Sequence, residues 1–344
     1  MSGLSARSGW RRLGVCVAVL VLADLAVPSL LERSEASRYE SDALFRFENS
    51  DLFALGPVVD YLREHPVGRR PRVVFFGNSI VWGYGVQPSE TVPARFQQFA
   101  PDTQVLNFGI NGFEIGSSYL ITKALGEAVS VVYVFPHGQR ADAKLPKLID
   151  VSADDARQFG LQPRSAAQEV CERLFGFWQL GRYAYRLQAA WFGTSTRQAV
   201  YMRKGEWARR LLGKGGRGPA SKPLVMDDPT VRVQWTGPDS ERPVGPEDLQ
   251  AAAGAHPVLW QYAAWLAEHR IHGVVVELPG YESILTNDER TVLNAHFSPY
   301  VMAVRISVPE SALVDRMHFN RAGAEAVART LYEQTGHAVG LRAS

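Results

Sequence analysis

The chain has 344 residues, 46% hydrophobic and 21% charged, which argues against a disordered polymer and suffices for one large domain or two small ones. A formal charge of +2 makes no electrostatic case for nucleic acid, and no helix-turn-helix, zinc-finger or RNP-like pattern supplies one. Two cysteines, Cys16 and Cys171, are too few for a disulfide framework.

The first feature in chain order is apolar. Arg11 and Arg12 precede LGVCVAVLVLADLAVPSLL, a run interrupted only by Asp24 and Pro28 and followed by ERSE. Residues 1–33 therefore read as a membrane-targeting segment. The part before Asp24 is short enough for a signal-peptide core, yet no A-x-A cleavage site follows, which favours an uncleaved signal anchor. The arginines hold the N-terminus in the cytoplasm, so the body is expected on the far side, as a single-pass protein of the inner membrane facing the periplasm. Asp24 either meets a partner protein or lies close enough to the interface to reach water.

Residues 34–70 are mixed and charged, with a helical patch in LFALGPVVDYLREH, and read as a stalk. RVVFF at 72–76 is a short β-branched and aromatic run that predicts a buried strand. A helix near ETVPARFQQFA, a strand QVLNFG at 104–109, a helix SSYLITKALGEA and a strand VSVVYVF at 129–135 follow. Strand, helix, strand, helix, strand implies parallel pairing, right-handed crossovers and helices on both faces.

The rhythm breaks between about 140 and 250, where aromatic helical segments, a basic glycine-rich piece (RKGEWARRLLGKGGRG) and a Pro-rich loop read as a helical cap inserted over the sheet. It returns with a helix PVLWQYAAWLAEHR, strands GVVVELPG and YVMAVRI, and a closing helix NRAGAEAVARTLYEQ. The expected architecture is one α/β domain over 71–338, a flavodoxin-like three-layer sandwich with a parallel sheet of about five strands, interrupted by the cap and preceded by the membrane helix.

Active groups in open parallel sheets lie just beyond the carboxyl ends of the strands. Ser79 lies there, directly after the first strand. A serine hydroxyl attacks only when a base removes its proton, commonly a histidine oriented by a carboxylate. DRMHFN at 315–320 offers both, with Asp315 and His318 three residues apart before the last helix. On one turn the Asp315 carboxylate can reach one imidazole nitrogen and leave the other to face Ser79. Backbone N–H groups at Ser79 and in the glycine turn NFGING can supply donors for the oxyanion.

Other patterns carry less. His269 and His272 form an H-x-x-H at a helix end without a third ligand, which reads as helix capping rather than a metal site. Asp154-Asp155 and Asp227-Asp228 read as loop acids. Arg203, Lys204, Arg209, Arg210, Lys214 and Arg217 alternate with Trp207, Leu211 and Leu212, a solvated cap surface in preference to a lipid- or glycan-binding one. There is no G-x-S-x-G elbow, P-loop or G-x-G-x-x-G fingerprint, so no cofactor and no metal is expected.

Taken together, these residues resemble the SGNH, or GDSL, family of serine hydrolases and acyltransferases. Gly77-Asn78-Ser79 corresponds to the first family block, with Asn78 in place of the usual Asp, and the following WGYGV is similar to membrane-anchored members. Gly112 in VLNFGING corresponds to the second block, and Asp315 and His318 to the last, D-x-x-H. The resemblance covers about 71–138 and 257–335. It implies that Ser79 is the nucleophile, His318 the base, Asp315 its orienter, and Ser79 and Gly112 oxyanion donors. The third block departs: FPHGQ puts Gly138 where the family has asparagine, so His137 or Gln139 is left to serve as the third donor.

The resemblance implies an extracytoplasmic serine esterase or O-acyltransferase acting on ester-linked acyl groups, above all acetyl, of a glycan or a small ester. A multi-spanning acyl-donor protein is the partner that such anchored relatives suggest. The rival expectation is a catalytically silent SGNH scaffold that binds glycan or a membrane acyltransferase, and placement of Ser79 and His318 beyond hydrogen-bond reach would favour it.

Overall fold

The structure, a computed structural model, describes residues 10–26, 62–63, 70–109, 115–136, 234–236, 244–278, 285–314 and 318–341. The chain divides into two compact units, Met1–Glu40 with Pro163–Gly215, and Ser41–Gln162 with Gly216–Ser344.

Of the first unit only a helix over 10–26 is described. Its apolar side chains, among them Trp10, Leu13, Val17, Leu20 and Leu25, are exposed, as is Cys16. Among the described residues no helix is long and apolar enough to cross a membrane. Most of the stalk and cap segments lies outside the described residues.

The second unit is α/β. Its elements in chain order are β1 (Arg72–Gly77), α1 (Ser79–Trp82), α2 (Val92–Phe99), β2 (Gln104–Gly109), α3 (Ile115–Leu125), β3 (Val131–Val134), β4 (Gln234–Thr236), α4 (Pro246–Ala255), α5 (Pro257–Glu268), β5 (His272–Glu277), α6 (Asn287–Phe297), β6 (Val301–Ser307) and α7 (Arg321–Thr335). They build a six-stranded sheet in the order β2-β1-β3-β5-β6-β4. Every pairing is parallel except β4 with β6.

β1 lies inside the sheet, and all its residues are buried, so it reads as a continuous apolar run rather than an alternating one. Alternate side chains still go to opposite faces. Val73 and Phe75, with Val105, Tyr133, Val274 and Val304, pack against Val92 and Phe96 of α2 and Val327 and Leu331 of α7. Phe75 stacks on Tyr133 at 4.6 Å and meets the Phe96 ring edge-on at 5.1 Å. Each such ring, fully buried, stabilises the fold by roughly 1.5–3 kcal/mol. Across the sheet Phe76 meets Phe108 at 5.5 Å, and α3 and α5 pack together, α3 against β1 and α5 against β5.

The five parallel strands match the expectation of about five, and among the described residues a sixth, β4, joins the edge antiparallel to β6. β4 is three residues long, too short to leave a periodic signal, and it comes from within the segment read as the cap. α4 likewise begins close to the expected end of the cap, at Pro246. α6 was not anticipated because its apolar positions are few, but its start is written in a capping box: Thr286 Oγ1 accepts from the Glu289 N–H, and the Glu289 carboxylate accepts from the Thr286 N–H.

Candidate active site

The carboxyl end of β1 runs into a sharp turn. Asn78 caps α1, its Oδ1 accepting from the Ile80 N–H at 3.1 Å, and Ser79 is the first helical residue. α1 lasts one turn because Gly83, in the left-handed conformation at φ 88°, ends it, and the N–H groups of Gly83 and Tyr84 both point to the Ser79 carbonyl. A Cβ on Gly77 would press on Val81 and Phe135, so the glycine lets the turn close over the end of the sheet. Ser79 is left half-buried while its neighbours Asn78 and Ile80 are buried.

The end of β2 braces this turn from the side. Asn107 is buried, with Nδ2 donating to the Val81 carbonyl at 3.0 Å and Oδ1 accepting from the Gly109 N–H at 2.9 Å. Gly109 lies so close to the Trp82 backbone that any side chain there would collide with it. One residue thus ties the strand end to the helix that carries Ser79.

His318 comes from the opposite end of the unit. Leu313 pairs with Phe319 in an isolated antiparallel bridge, the Val314 N–H donates to the His318 carbonyl at 2.8 Å, and the Asn320 N–H donates to the Ala312 carbonyl at 2.9 Å. Asn320 then caps α7, with Oδ1 accepting from the Gly323 N–H at 2.9 Å and Nδ2 donating to the Ser311 carbonyl at 2.6 Å. This turn holds the imidazole so that His318 Nε2 lies 2.8 Å from Ser79 Oγ, in hydrogen-bond contact.

Tyr84 completes the described surroundings. Its ring lies 4.6 Å from that of His318 at an interplanar angle of 42°. Gly85, which follows it at φ 87°, packs against Val314, so the Tyr84 turn and the His318 turn touch.

The structure therefore brings Ser79 and His318 together. Asp315, Gly112, His137 and Gln139 lie outside the described residues. His269 and His272 take separate places: the His269 ring stacks on Trp265 at 4.1 Å with Nδ1 2.9 Å from the Trp265 carbonyl, while the His272 ring lies 5.5 Å from that of Tyr300. Burial holds the His272 imidazole below its ordinary pKa. Among the described residues no three His, Cys, Asp or Glu side chains are grouped to hold a metal ion.

Two contributors were missed in the sequence. Asn107 had a signal, since a polar side chain in the otherwise apolar VLNFG run is a buried group in need of partners. Tyr84 had a weaker one, an aromatic residue held between two glycines. Chemically, the arrangement is a half-buried hydroxyl with a base in contact, at the carboxyl edge of a parallel sheet, where both can meet a ligand. No protein-family model matches the chain, and no curated protein matches it.

Proposed function

We propose that the chain is an SGNH-type serine hydrolase or O-acyltransferase on a flavodoxin-like three-layer sandwich. The observation that carries the reading is the 2.8 Å contact between Ser79 Oγ and His318 Nε2. Support comes also from the position of both groups at the carboxyl edge of the sheet and from the resemblance of Gly77-Asn78-Ser79 and Asp315-x-x-His318 to the family blocks.

In the proposed reaction Ser79 Oγ attacks the ester carbonyl carbon while His318 Nε2 takes the hydroxyl proton. The tetrahedral oxyanion draws on backbone N–H donors at Ser79 and Gly112, with His137 or Gln139 as the third. Collapse breaks the C–O bond to the leaving alcohol, which receives the proton from His318, and an acyl-Ser79 remains. A water or a sugar hydroxyl, deprotonated by His318, then takes the acyl group and regenerates Ser79. Asp315 is proposed to orient the imidazole throughout. The acyl group proposed is acetyl on a glycan or small ester, handled on the periplasmic side of the inner membrane by a protein anchored through residues 1–33, with a multi-spanning acyl donor as partner.

The test is intact-mass analysis of the full chain after exposure to a fluorophosphonate and, separately, to p-nitrophenyl acetate. A single adduct that maps to Ser79 and is lost in Ser79→Ala is the expected result. A folded protein that gives no adduct with either reagent would overturn the enzyme in favour of the silent glycan-binding scaffold.

A further inference from the structure

Tyr84 is 54% exposed, and among the described residues outside the 10–26 helix it is the one large apolar side chain left exposed. Its presentation is built into the backbone. Gly83 and Gly85 flank it with φ of 88° and 87°, and a side chain on Gly83 would collide with Thr91, so the backbone here is one that ordinary residues do not adopt. The Tyr84 N–H is fixed to the Ser79 carbonyl at 2.9 Å, and its ring lies against His318, the residue in contact with the Ser79 hydroxyl. An apolar ring is thus held in water, one imidazole away from the nucleophilic oxygen.

A single exposed apolar side chain is ordinary on a protein surface; what sets Tyr84 apart is that two glycines at positive φ fix its ring beside His318, where a ligand lying over Ser79 would cover it. A long acyl chain needs a continuous apolar wall, and one ring does not make one. A sugar ring has the matching shape: one face of a pyranose is a flat patch of C–H bonds whose partial positive charge suits the negative face of an aromatic ring, and its hydroxyls remain free for polar contacts. A tyrosine held by its neighbours also loses little rotamer freedom when covered.

We infer that Tyr84 is the platform on which the sugar ring of an acylated saccharide rests, with its ester turned toward Ser79. The inference rests on the reading of Ser79 and His318 as an ester-cleaving pair. It also assigns the sugar, rather than the acyl group, to the Tyr84 side of the site.

The test measures binding apart from turnover. The full chain carrying Ser79→Ala is titrated with methyl 6-O-acetyl-glucopyranoside and followed by saturation-transfer NMR, with Tyr84→Ala and Tyr84→Phe introduced in the same background. Transfer to the sugar ring protons is expected, weakened about five- to tenfold by Tyr84→Ala and retained to within about twofold by Tyr84→Phe, because the ring and not the hydroxyl makes the contact. Equal binding by Tyr84→Ala, or no transfer to ring protons in the parent, overturns the platform. Fluorophosphonate labelling of the unsubstituted chain separates the two ideas. Tyr84-dependent binding without labelling upholds the platform and overturns the ester chemistry, whereas labelling without Tyr84-dependent binding overturns the platform alone.

Discussion

Ser79 Oγ and His318 Nε2 share a 2.8 Å contact although 239 positions separate them in the chain. The contact depends on two separately built turns, one closing β1 and one opening α7, that meet through Tyr84 against His318 and Gly85 against Val314. Replacing His318 by Gln removes the proposed base and leaves the Ser79 turn intact. The labelling rate of Ser79 by a fluorophosphonate is expected to fall by about 10³-fold or more, with the thermal midpoint nearly unchanged because the imidazole is half-buried and at the surface. A labelling rate equal to the parent's would show that His318 does not activate the hydroxyl.

Asn107 offers a test of positioning. Asn107→Leu keeps the branched skeleton, though it is bulkier, but deprives the buried Val81 carbonyl and Gly109 N–H of their partners, at a cost of about 1–3 kcal/mol for each group left unsatisfied. Gly109→Ala forces the Trp82 backbone outward, an overpacking cost of about 1–3 kcal/mol. Both variants are expected to lower stability in urea unfolding and to slow labelling of Ser79 at least about tenfold, since small displacements of a reacting group are expensive. Full-rate labelling in a destabilised Asn107→Leu protein would confine the residue to a purely structural role.

Much of this was legible in the sequence, and the reasons differ by element. β1, β2, β3, β5 and β6 are short apolar runs bounded by breakers, so they fall where the pattern puts them. β4 lacks the length to show a period, and its antiparallel place beside β6 is set by pairing Gln234 with Ser307 and Trp235 with Ile306, a long-range fact. Ser79 and His318 could be nominated because serine after a strand and histidine before a helix are informative types in those places. The Tyr84–His318 contact and the collision that reserves position 109 for glycine depend on two backbones approaching in space, which no local window records.

Stability has a separate focus at the end of β5. The Glu277 carboxylate is buried, accepts from the Leu285 N–H at 2.8 Å and lies 3.4 Å from Arg305 and 4.0 Å from the buried Arg290, while Asn287 Oδ1 accepts from Arg305 at 2.9 Å. Glu277→Leu leaves two guanidinium groups with their shared carboxylate gone and is expected to cost about 3–5 kcal/mol. Glu277→Gln, which still accepts from Leu285, is expected to cost less. Chemical denaturation curves for the pair decide this, and equal losses would show that the charge is unimportant.

The His272 imidazole makes a prediction in pH. Burial depresses its folded pKa, so on acidification the unfolded chain takes up the proton first. Its contribution to stability is therefore full above the ordinary imidazole pKa of about 6.5 and is lost as pH falls below that value toward the folded one. Substituting His272→Gln is expected to flatten the dependence of the thermal midpoint on pH between about 7 and 5. An unchanged slope would mean that another group controls it.

The order in which the ribosome delivers these residues adds a temporal consequence. Synthesis at about 5–20 residues per second separates the appearance of Ser79 from that of His318 by a time on the order of tens of seconds. β1 and β2 can pair in that interval, but β1 also borders β3, whose other neighbour β5 comes much later in the chain. The hydroxyl therefore waits beside an unfinished sheet, and its imidazole partner arrives just ahead of α7, the helix that seals one face of the core against α2. A nascent or prematurely terminated chain consequently carries a solitary serine, and the juxtaposition of the two side chains doubles as a marker that the far end of the polypeptide has been made and docked.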